Sequence, residues 1–144
     1  MIGNVMRALM IALCFTLLPL AACESPASDG GRDLARAVEG RTWIAEVIGG
    51  KDVVDGTKVT LKIEGGRVSG KGGCNAYGGP VEINRDTIKF GALFSTKMAC
   101  MANGSMEQES RYLNMLQGAT HGEVRSDGTL IISGNGGAIE FRAE

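Results

Sequence analysis

Apolar and polar residues alternate with a period of two along most of the chain after residue 40. Val59, Leu61 and Ile63, for example, alternate with the polar residues between them, a spacing that places the two sets on opposite faces of a strand. Similar short runs occupy residues 42–48, 67–70, 81–83, 87–90, 121–126, 129–133 and 138–142. The hairpin signals Gly65-Gly66, Asp127-Gly128 and Asn135-Gly136 lie between neighbouring runs,. The pattern predicts about seven or eight short antiparallel strands.

One segment follows a helical period instead. Ser105 and Gln108 have the spacing of a capping box, with Ser105 as the N-cap, and Gly118 supplies a C-terminal stop,. The apolar stripe at helical spacing consists of Met106, Leu113 and Leu116. We therefore expect one amphipathic helix over 105–117, preceded much earlier by one or two helical turns over 33–38.

Hairpins without strand–helix–strand alternation predict a mainly β fold, with one helix covering a compact curved antiparallel sheet or small barrel. The helical stripe is narrower than the apolar face of the strands. A groove should therefore remain uncovered, with Tyr77, Phe90, Phe94 and Tyr112 as candidate lining residues,. In the alternative arrangement the strands close into a barrel and these aromatic side chains fill its core.

The N-terminus has the layout of a secretory signal. Arg7 precedes an apolar run over residues 8–20, which ends in Leu20-Ala21-Ala22-Cys23,. This ending resembles the lipobox of bacterial lipoproteins, which implies cleavage before Cys23 and attachment of diacylglycerol and a further acyl chain such as palmitate to that residue. The expected divisions are a signal peptide over 1–22, a lipidated cysteine and flexible tether over 23–40, and a β domain over 41–144. The alternative is an uncleaved membrane helix over residues 2–23, although its apolar run is shorter than the roughly 20 residues that a span requires.

These features predict a protein anchored by lipid in the bacterial envelope and facing the periplasm. Glu24 follows the cysteine, in place of the aspartate associated with retention in the inner membrane, which favours the outer membrane. Cleavage before Cys23 removes Arg7 and no acidic residue, so the net charge changes from −1 to −2. Acidic and basic residues are interspersed, and this distribution argues against a nucleic-acid partner.

The cysteines support the same compartment. Cys14 leaves with the signal and Cys23 is consumed by lipid, so Cys74 and Cys100 remain as one pair in an oxidising environment,. A disulfide between them would stabilise the fold by about 3 to 3.5 kcal/mol. Two buried free thiols are the alternative.

Two loops contain residues typical of functional sites, a phosphate-binding loop and a glycosylation sequon, but neither fits that function. The glycine-rich stretch 70–79 lacks the residue order of a phosphate-binding loop and does not open a helix,. Its glycines are better explained by turns and by close approach of the backbone. Asn103-Gly104-Ser105 matches a glycosylation sequon, but in a bacterial lipoprotein it is better interpreted as the loop that enters the helix.

Two reactive clusters remain. Cys74 and His121 could form a nucleophile–base pair, but no third group is apparent to orient the histidine. The sulfur atoms of Met98, Cys100, Met101 and Met106 suit Cu(I),; we favour core methionines and half of a disulfide. The sequence thus predicts no catalytic residue, no metal site and no cofactor.

Several motifs together carry a family resemblance. They are Trp43, Val68-Ser69-Gly70, Gly73-Cys74-Asn75-x-Tyr77-x-Gly79, Thr96-x-Met98-Ala99-Cys100 and Met106-Glu107-x-Glu109 with Leu113 and Leu116. They resemble the META-domain family, which includes the HslJ-type heat-shock proteins of the bacterial envelope, over roughly residues 40–142. The resemblance implies a compact antiparallel β fold with one helix and a bridge between Cys74 and Cys100. Family members are associated with heat stress, antibiotic tolerance, secretion or motility, without an established reaction.

We therefore expect a non-enzymatic binding or scaffold module in envelope stress tolerance, acting on a peptide, a lipid or an envelope protein. The alternative is a thiol-redox or copper-handling protein that uses Cys74, Cys100 and the nearby methionines.

Overall fold

The structure is a computed structural model that describes residues 30–101 and 103–144, with side chains from residue 34 onward. The expected signal peptide and Cys23 lie outside the described residues. Two helices are present: α1 (Gly30–Val38) and α2 (Ser105–Gln117). The strands are β1 (Thr42–Ile48), β2 (Lys51–Asp52), β3 (Lys58–Glu64), β4 (Arg67–Gly73), β5 (Ala76–Asn84), β6 (Thr87–Phe90), β7 (Phe94–Ser95), β8 (Ala119–Val124), β9 (Leu130–Gly134) and β10 (Gly137–Ala143).

Eight of the strands form a closed antiparallel barrel. Their order around the barrel is β1, β3, β4, β5, β6, β8, β9 and β10, and β10 pairs back to β1 from Trp43–Ala143 to Ile48–Ile139. The two-residue strands β2 and β7 pair with β1 and β5 respectively, outside this ring. The mainly β class is confirmed, and of the two expected architectures the chain adopts the barrel.

The apolar positions of the alternating runs form the barrel core. Val59, Leu61 and Ile63 are all buried, as the alternation predicts, and each such side chain contributes about 1.5 to 3 kcal/mol to stability. Strict alternation in β1 predicts that Val47 is buried with Trp43 and Ala45; this is wrong, because a bulge shifts the register between Ala45 and Val47. Because of this extra residue, Ile48 is buried and Val47 only half-buried,.

The two helices lie at opposite ends of the barrel. The side chain of Gln108, in α2, bonds to Thr57 immediately before β3, whereas Glu39, immediately after α1, bonds to the amide of Gly65 immediately after β3. Strand β3 lies between these contacts, and the eight residue steps from Thr57 to Gly65 span about 26 Å. Leu34 and Val38 of α1 are buried in the common core, so the packed domain begins before residue 41. Among the described residues, neither helix combines the length and apolar composition needed to cross a membrane.

The expected start of α2 is corrected by the structure. Ser105 is the first helical residue and Gly104, with φ of 80°, occupies the N-cap without a side-chain cap. Gln108 accepts a hydrogen bond from the Val54 amide at 2.6 Å and donates to the Thr57 hydroxyl at 3.0 Å. Tertiary partners therefore use the side chain that would have completed the capping box. The predicted end at Gly118 is confirmed.

Candidate functional site

The two densest sequence motifs meet around a buried carboxylate on α2. Glu109 is only 6% exposed. Its Oε2 accepts the backbone N–H of Asn75 at 2.7 Å and that of Cys74 at 3.3 Å, while its Oε1 accepts the Asn75 side-chain amide at 2.8 Å. A buried carboxylate needs such donors to offset its lost hydration. Glu109 thereby fixes the turn between β4 and β5 to the helix.

Asn75 extends this contact to the loop at 96–101. Its Oδ1 accepts the backbone N–H of Met98 at 2.7 Å and the hydroxyl of Thr96 at 3.1 Å. The Thr96 hydroxyl in turn accepts the Ala76 amide at 3.1 Å. Both ends of the fully buried Asn75 amide are thus engaged, and the network holds three segments in one arrangement. Glu109 and Asn75 belong to the family motifs, but no pattern in the sequence assigns a role to either.

A disulfide joins the same two loops. Cys74 is bonded to Cys100 across a Cα–Cα distance of 6.0 Å, within the usual range for such a bridge. The structure therefore contains the pair that the resemblance implies, in place of two free thiols. Close packing also explains one glycine of the motif, because a Cβ at Gly72 would lie 2.6 Å from Cγ of Glu109.

Two tyrosines connect α2 to the barrel interior. The hydroxyls of Tyr77 and Tyr112 are 2.6 Å apart, and that of Tyr77 donates to the carbonyl of Thr60 at 2.9 Å. The ring of Tyr112 packs edge-on against Tyr77 and Phe141. Burial raises the pKa of both phenols above the usual value for tyrosine,. Both therefore remain neutral at physiological pH and serve as hydrogen-bonding core residues.

The structure separates the four candidate groove residues. Tyr77, Phe90 and Tyr112 are buried in the barrel core, so they do not line a groove. Phe94, on the peripheral strand β7, is 61% exposed. The expected groove is absent at these residues because the barrel is closed, so the apolar face of its strands points into the interior. Tyr77, Phe90 and Tyr112 therefore follow the alternative in which aromatic side chains fill the core, whereas Phe94 does not.

Four exposed apolar side chains lie on or next to the segments that the network joins. We use the name methionine patch for Phe94, Met98, Met101 and Met106; the three methionines are 57%, 96% and 47% exposed. Beside it lies a cleft of about 490 Å³, the loop cleft, between the 95–99 segment and α2. Its lining residues are Asn75, Ser95, Thr96, Lys97, Met98, Ala99, Met106 and Glu109.

The structure does not form the Cys74–His121 pair considered from the sequence. The sulfur of Cys74 is bonded to Cys100, so no thiol is available there to pair with His121. His121 lies within β8, and its Nδ1 is 3.0 Å from the Thr120 hydroxyl. Within 30–101 and 103–144, no group of three or more histidine, cysteine, aspartate or glutamate side chains is placed to hold a metal ion.

Comparisons with known proteins agree with this architecture. Two solved structures show the same fold: the NMR structure of a protein from Burkholderia xenovorans, at 21% identity and a TM-score of 0.62, and the NMR structure of another protein, at 18% and 0.63. The first alignment covers 90% of this chain and 98% of that chain, and the second covers 74% and 92%. No curated protein matches the sequence. The family model described as META domain matches residues 36–144, and the chain therefore belongs to the META domain family.

Proposed function

We propose that this chain is an HslJ-like lipoprotein, anchored in the envelope through Cys23 and facing the periplasm. Its META domain would be a non-enzymatic binding or scaffold module in envelope stress tolerance. The observation that carries the proposal is the methionine patch, four exposed apolar side chains of which Met98 and Met101 lie on a loop held by a disulfide and by Asn75. The loop backbone is fixed before binding, so docking there orders little additional backbone, while the methionine side chains can adapt to the partner.

The chemistry beside the patch supports binding in preference to catalysis. Both oxygens of Glu109 accept N–H donors, and Cys74 is oxidised. Neither group is therefore free to act as a base or a nucleophile.

The two ends of the barrel fit an anchored scaffold. The chain between Cys23 and α1 can span at most about 25 Å, so an anchor at Cys23 would hold the α1 end near the membrane. The methionine patch adjoins α2, at the opposite end, and would face away from the membrane. Because the barrel is closed and its aromatics are buried, the preferred partner is an envelope protein that docks on the surface by an apolar side chain.

The anchor is tested by labelling with palmitate. Cys23→Ser should abolish labelling and signal cleavage, whereas Cys14→Ser, a matched change within the signal, should leave both intact. Fractionation on a sucrose gradient should place the wild type with outer-membrane markers. Labelling of the Cys23→Ser protein at the wild-type level would contradict the lipoprotein assignment.

Docking is tested by complementation of a deletion strain under heat stress. The triple substitution Met98→Ser, Met101→Ser and Met106→Ser should reduce survival without lowering the amount of folded protein. A matched triple change of exposed residues near the other end, Arg36→Ser, Glu64→Ser and Arg67→Ser, should leave survival unchanged. Equal survival of both variants would exclude the methionine patch as the docking surface.

A second candidate function is thiol-redox or copper handling. It is favoured by one observation: Met98 and Met106 line the same cleft, and the Cys74 and Cys100 sulfurs lie 3.9 and 3.7 Å from the carbonyl oxygen of Met98. Reduction would place two thiols near these thioethers, a ligand set that suits Cu(I). Titration of the oxidised and reduced protein with Cu(I) decides between the two functions, since stoichiometric tight binding supports the second.

A further inference from the structure

A second surface cavity lies on the other side of α2 from the loop cleft. This cavity, the turn groove, has a volume of about 690 Å³. Its lining residues are Met106, Glu107, Ser110, Arg111, Asn114, Met115 and Gly136. It borders the turn between β9 and β10 and does not include the disulfide or the Glu109 network.

Arg111 is the unusual residue of this groove. Its Nε is buried and has no hydrogen-bond partner in the structure. No carboxylate of the described residues lies within ion-pair distance of its guanidinium, although Glu107 is one helical turn away. The guanidinium therefore lines the groove as a cation without a counter-charge from the described residues, and a ligand carboxylate would supply that charge.

Glu107 supplies the opposite charge in the same groove. Its side chain is exposed, and it too forms no ion pair with a described residue. Residues four apart on a helix have Cβ atoms about 5–6 Å apart. The groove therefore presents an anionic and a cationic group side by side, each unpaired, with the polar side chains of Ser110 and Asn114 on the same face.

The remaining wall is apolar and tightly packed. Met106 and Met115 supply its thioether side chains. A Cβ at Gly49 would lie 3.3 Å from Sδ of Met115, and one at Gly136 would lie 3.3 Å from its Cγ. Glycine at both turns lets the Met115 side chain occupy this position and form an apolar wall next to the charged pair.

We propose that the turn groove binds an α-amino acid group that carries an apolar side chain. The ligand carboxylate pairs with Arg111, its ammonium pairs with Glu107, and its side chain packs on Met106 and Met115. A simple anion would meet repulsion from Glu107, and a simple cation would meet repulsion from Arg111. A ligand with an ammonium and a carboxylate attached to the same carbon atom complements both residues at once.

The test uses three probes that share the same apolar side chain and differ in the charged groups attached to it. They are leucine, 4-methylpentanoate, which lacks the ammonium, and 3-methylbutylamine, which lacks the carboxylate. Each is titrated into the ¹⁵N-labelled full-length protein, and dissociation constants are taken from shifts of amides in the turn groove. Leucine should bind most tightly, with each single-charge analogue weaker by about tenfold, which corresponds to about 1.4 kcal/mol.

Substitutions assign the two charges. Arg111→Gln should abolish the preference for leucine over 3-methylbutylamine. Glu107→Gln should abolish the preference over 4-methylpentanoate and strengthen binding of that anion relative to wild type. Lys97→Gln, which removes a charge from the loop cleft, is the matched control and should leave all three constants unchanged.

Two results would overturn the proposal. One is equal affinity of the wild type for the three probes, including the absence of saturable binding by any of them. The other is an equal response of Lys97→Gln and Arg111→Gln. Thermal melting of each variant separates loss of binding from loss of folding, and neither result depends on lipidation. Met106 belongs to both the turn groove and the methionine patch, but the two residues whose substitution decides the proposal, Glu107 and Arg111, lie outside the patch.

Discussion

The buried carboxylate of Glu109 is stabilised by N–H donors of Cys74 and Asn75, without a positively charged partner in the part of the chain that the structure describes. No Lys, Arg or His side chain of the described residues forms an ion pair with this carboxylate, and all its hydrogen-bond partners belong to the motif around Cys74. The two ends of the Asn75 amide are not interchangeable, because one end donates to Glu109 and the other accepts from Met98 and Thr96. The direction of each hydrogen bond is therefore fixed, which allows a test by exchange.

Exchanging the acid and the amide should preserve the network. Glu109→Gln places an NH₂ group against the Asn75 NH₂ group and should cost about 1 to 3 kcal/mol of unfolding free energy. Asn75→Asp places two carboxylates in contact and should cost more. In the double variant the amide introduced at position 109 donates to the carboxylate introduced at position 75. Its carbonyl still accepts the backbone N–H groups, so stability should recover.

Urea denaturation of the four proteins measures this coupling. A favourable coupling of about 0.5 to 3 kcal/mol is typical of groups in direct contact. Additive losses in the double variant would show that the two side chains act independently and would contradict the arrangement described here.

At the scale of elements, the sequence predicts what depends on near neighbours. Alternation and turn dipeptides predict the barrel strands, and Gly65-Gly66 forms its hairpin with both residues at positive φ. The bulge in β1, the short strand β2 and the N-cap at Gly104 were not predicted. The bulge depends on β10, and the N-cap depends on the 54–57 loop that binds the side chain of Gln108; both partners are distant in sequence. Strand β2 instead pairs with the end of β1 across Gly49-Gly50, a local two-residue turn with both glycines at positive φ, of the same kind as Gly65-Gly66.

Removing the disulfide measures how much the link between the 96–101 loop and the turn before β5 contributes to stability. The cysteines are separated by 26 positions in the sequence, and the double variant Cys74→Ala/Cys100→Ala should lose about 3 kcal/mol on the chain-entropy account. Thermal and urea unfolding would measure the loss. Reduced wild type should unfold like the double variant. If reduction leaves the unfolding midpoint unchanged, the bridge contributes no stability.

At the scale of the whole molecule, closure of the barrel determines which residues are buried and which remain on the surface for binding. Alternation and hairpin signals are the same for an open sheet and a barrel, so the sequence left the two architectures open. Pairing of β1 with β10, from opposite ends of the domain, closes the ring. The consequence is that Tyr77 and Tyr112 lie inside and that binding falls to outer surfaces, among them the loop cleft, the turn groove and the methionine patch.

The buried tyrosine pair makes the stability of the whole domain sensitive to alkaline pH. Folding raises the pKa of Tyr77 and Tyr112, chiefly through burial, so the folded state retains both protons at a pH where the unfolded chain releases them. Their contribution is therefore complete below about pH 10, the ordinary tyrosine value, and is lost progressively as the pH rises above it.

The sequence contains two tyrosines, and both belong to this pair. Tyrosinate absorbance during an alkaline titration should therefore appear only together with the loss of far-ultraviolet circular dichroism, because the phenols ionise when the barrel opens. The urea-denatured chain should titrate near pH 10. Tyr77→Phe/Tyr112→Phe should reduce the fall in stability between neutral and alkaline pH, which separates the phenols from the lysines. Tyrosinate appearing near pH 10 while the circular dichroism stays native would mean that the pair is open to solvent, which is incompatible with a barrel closed around it.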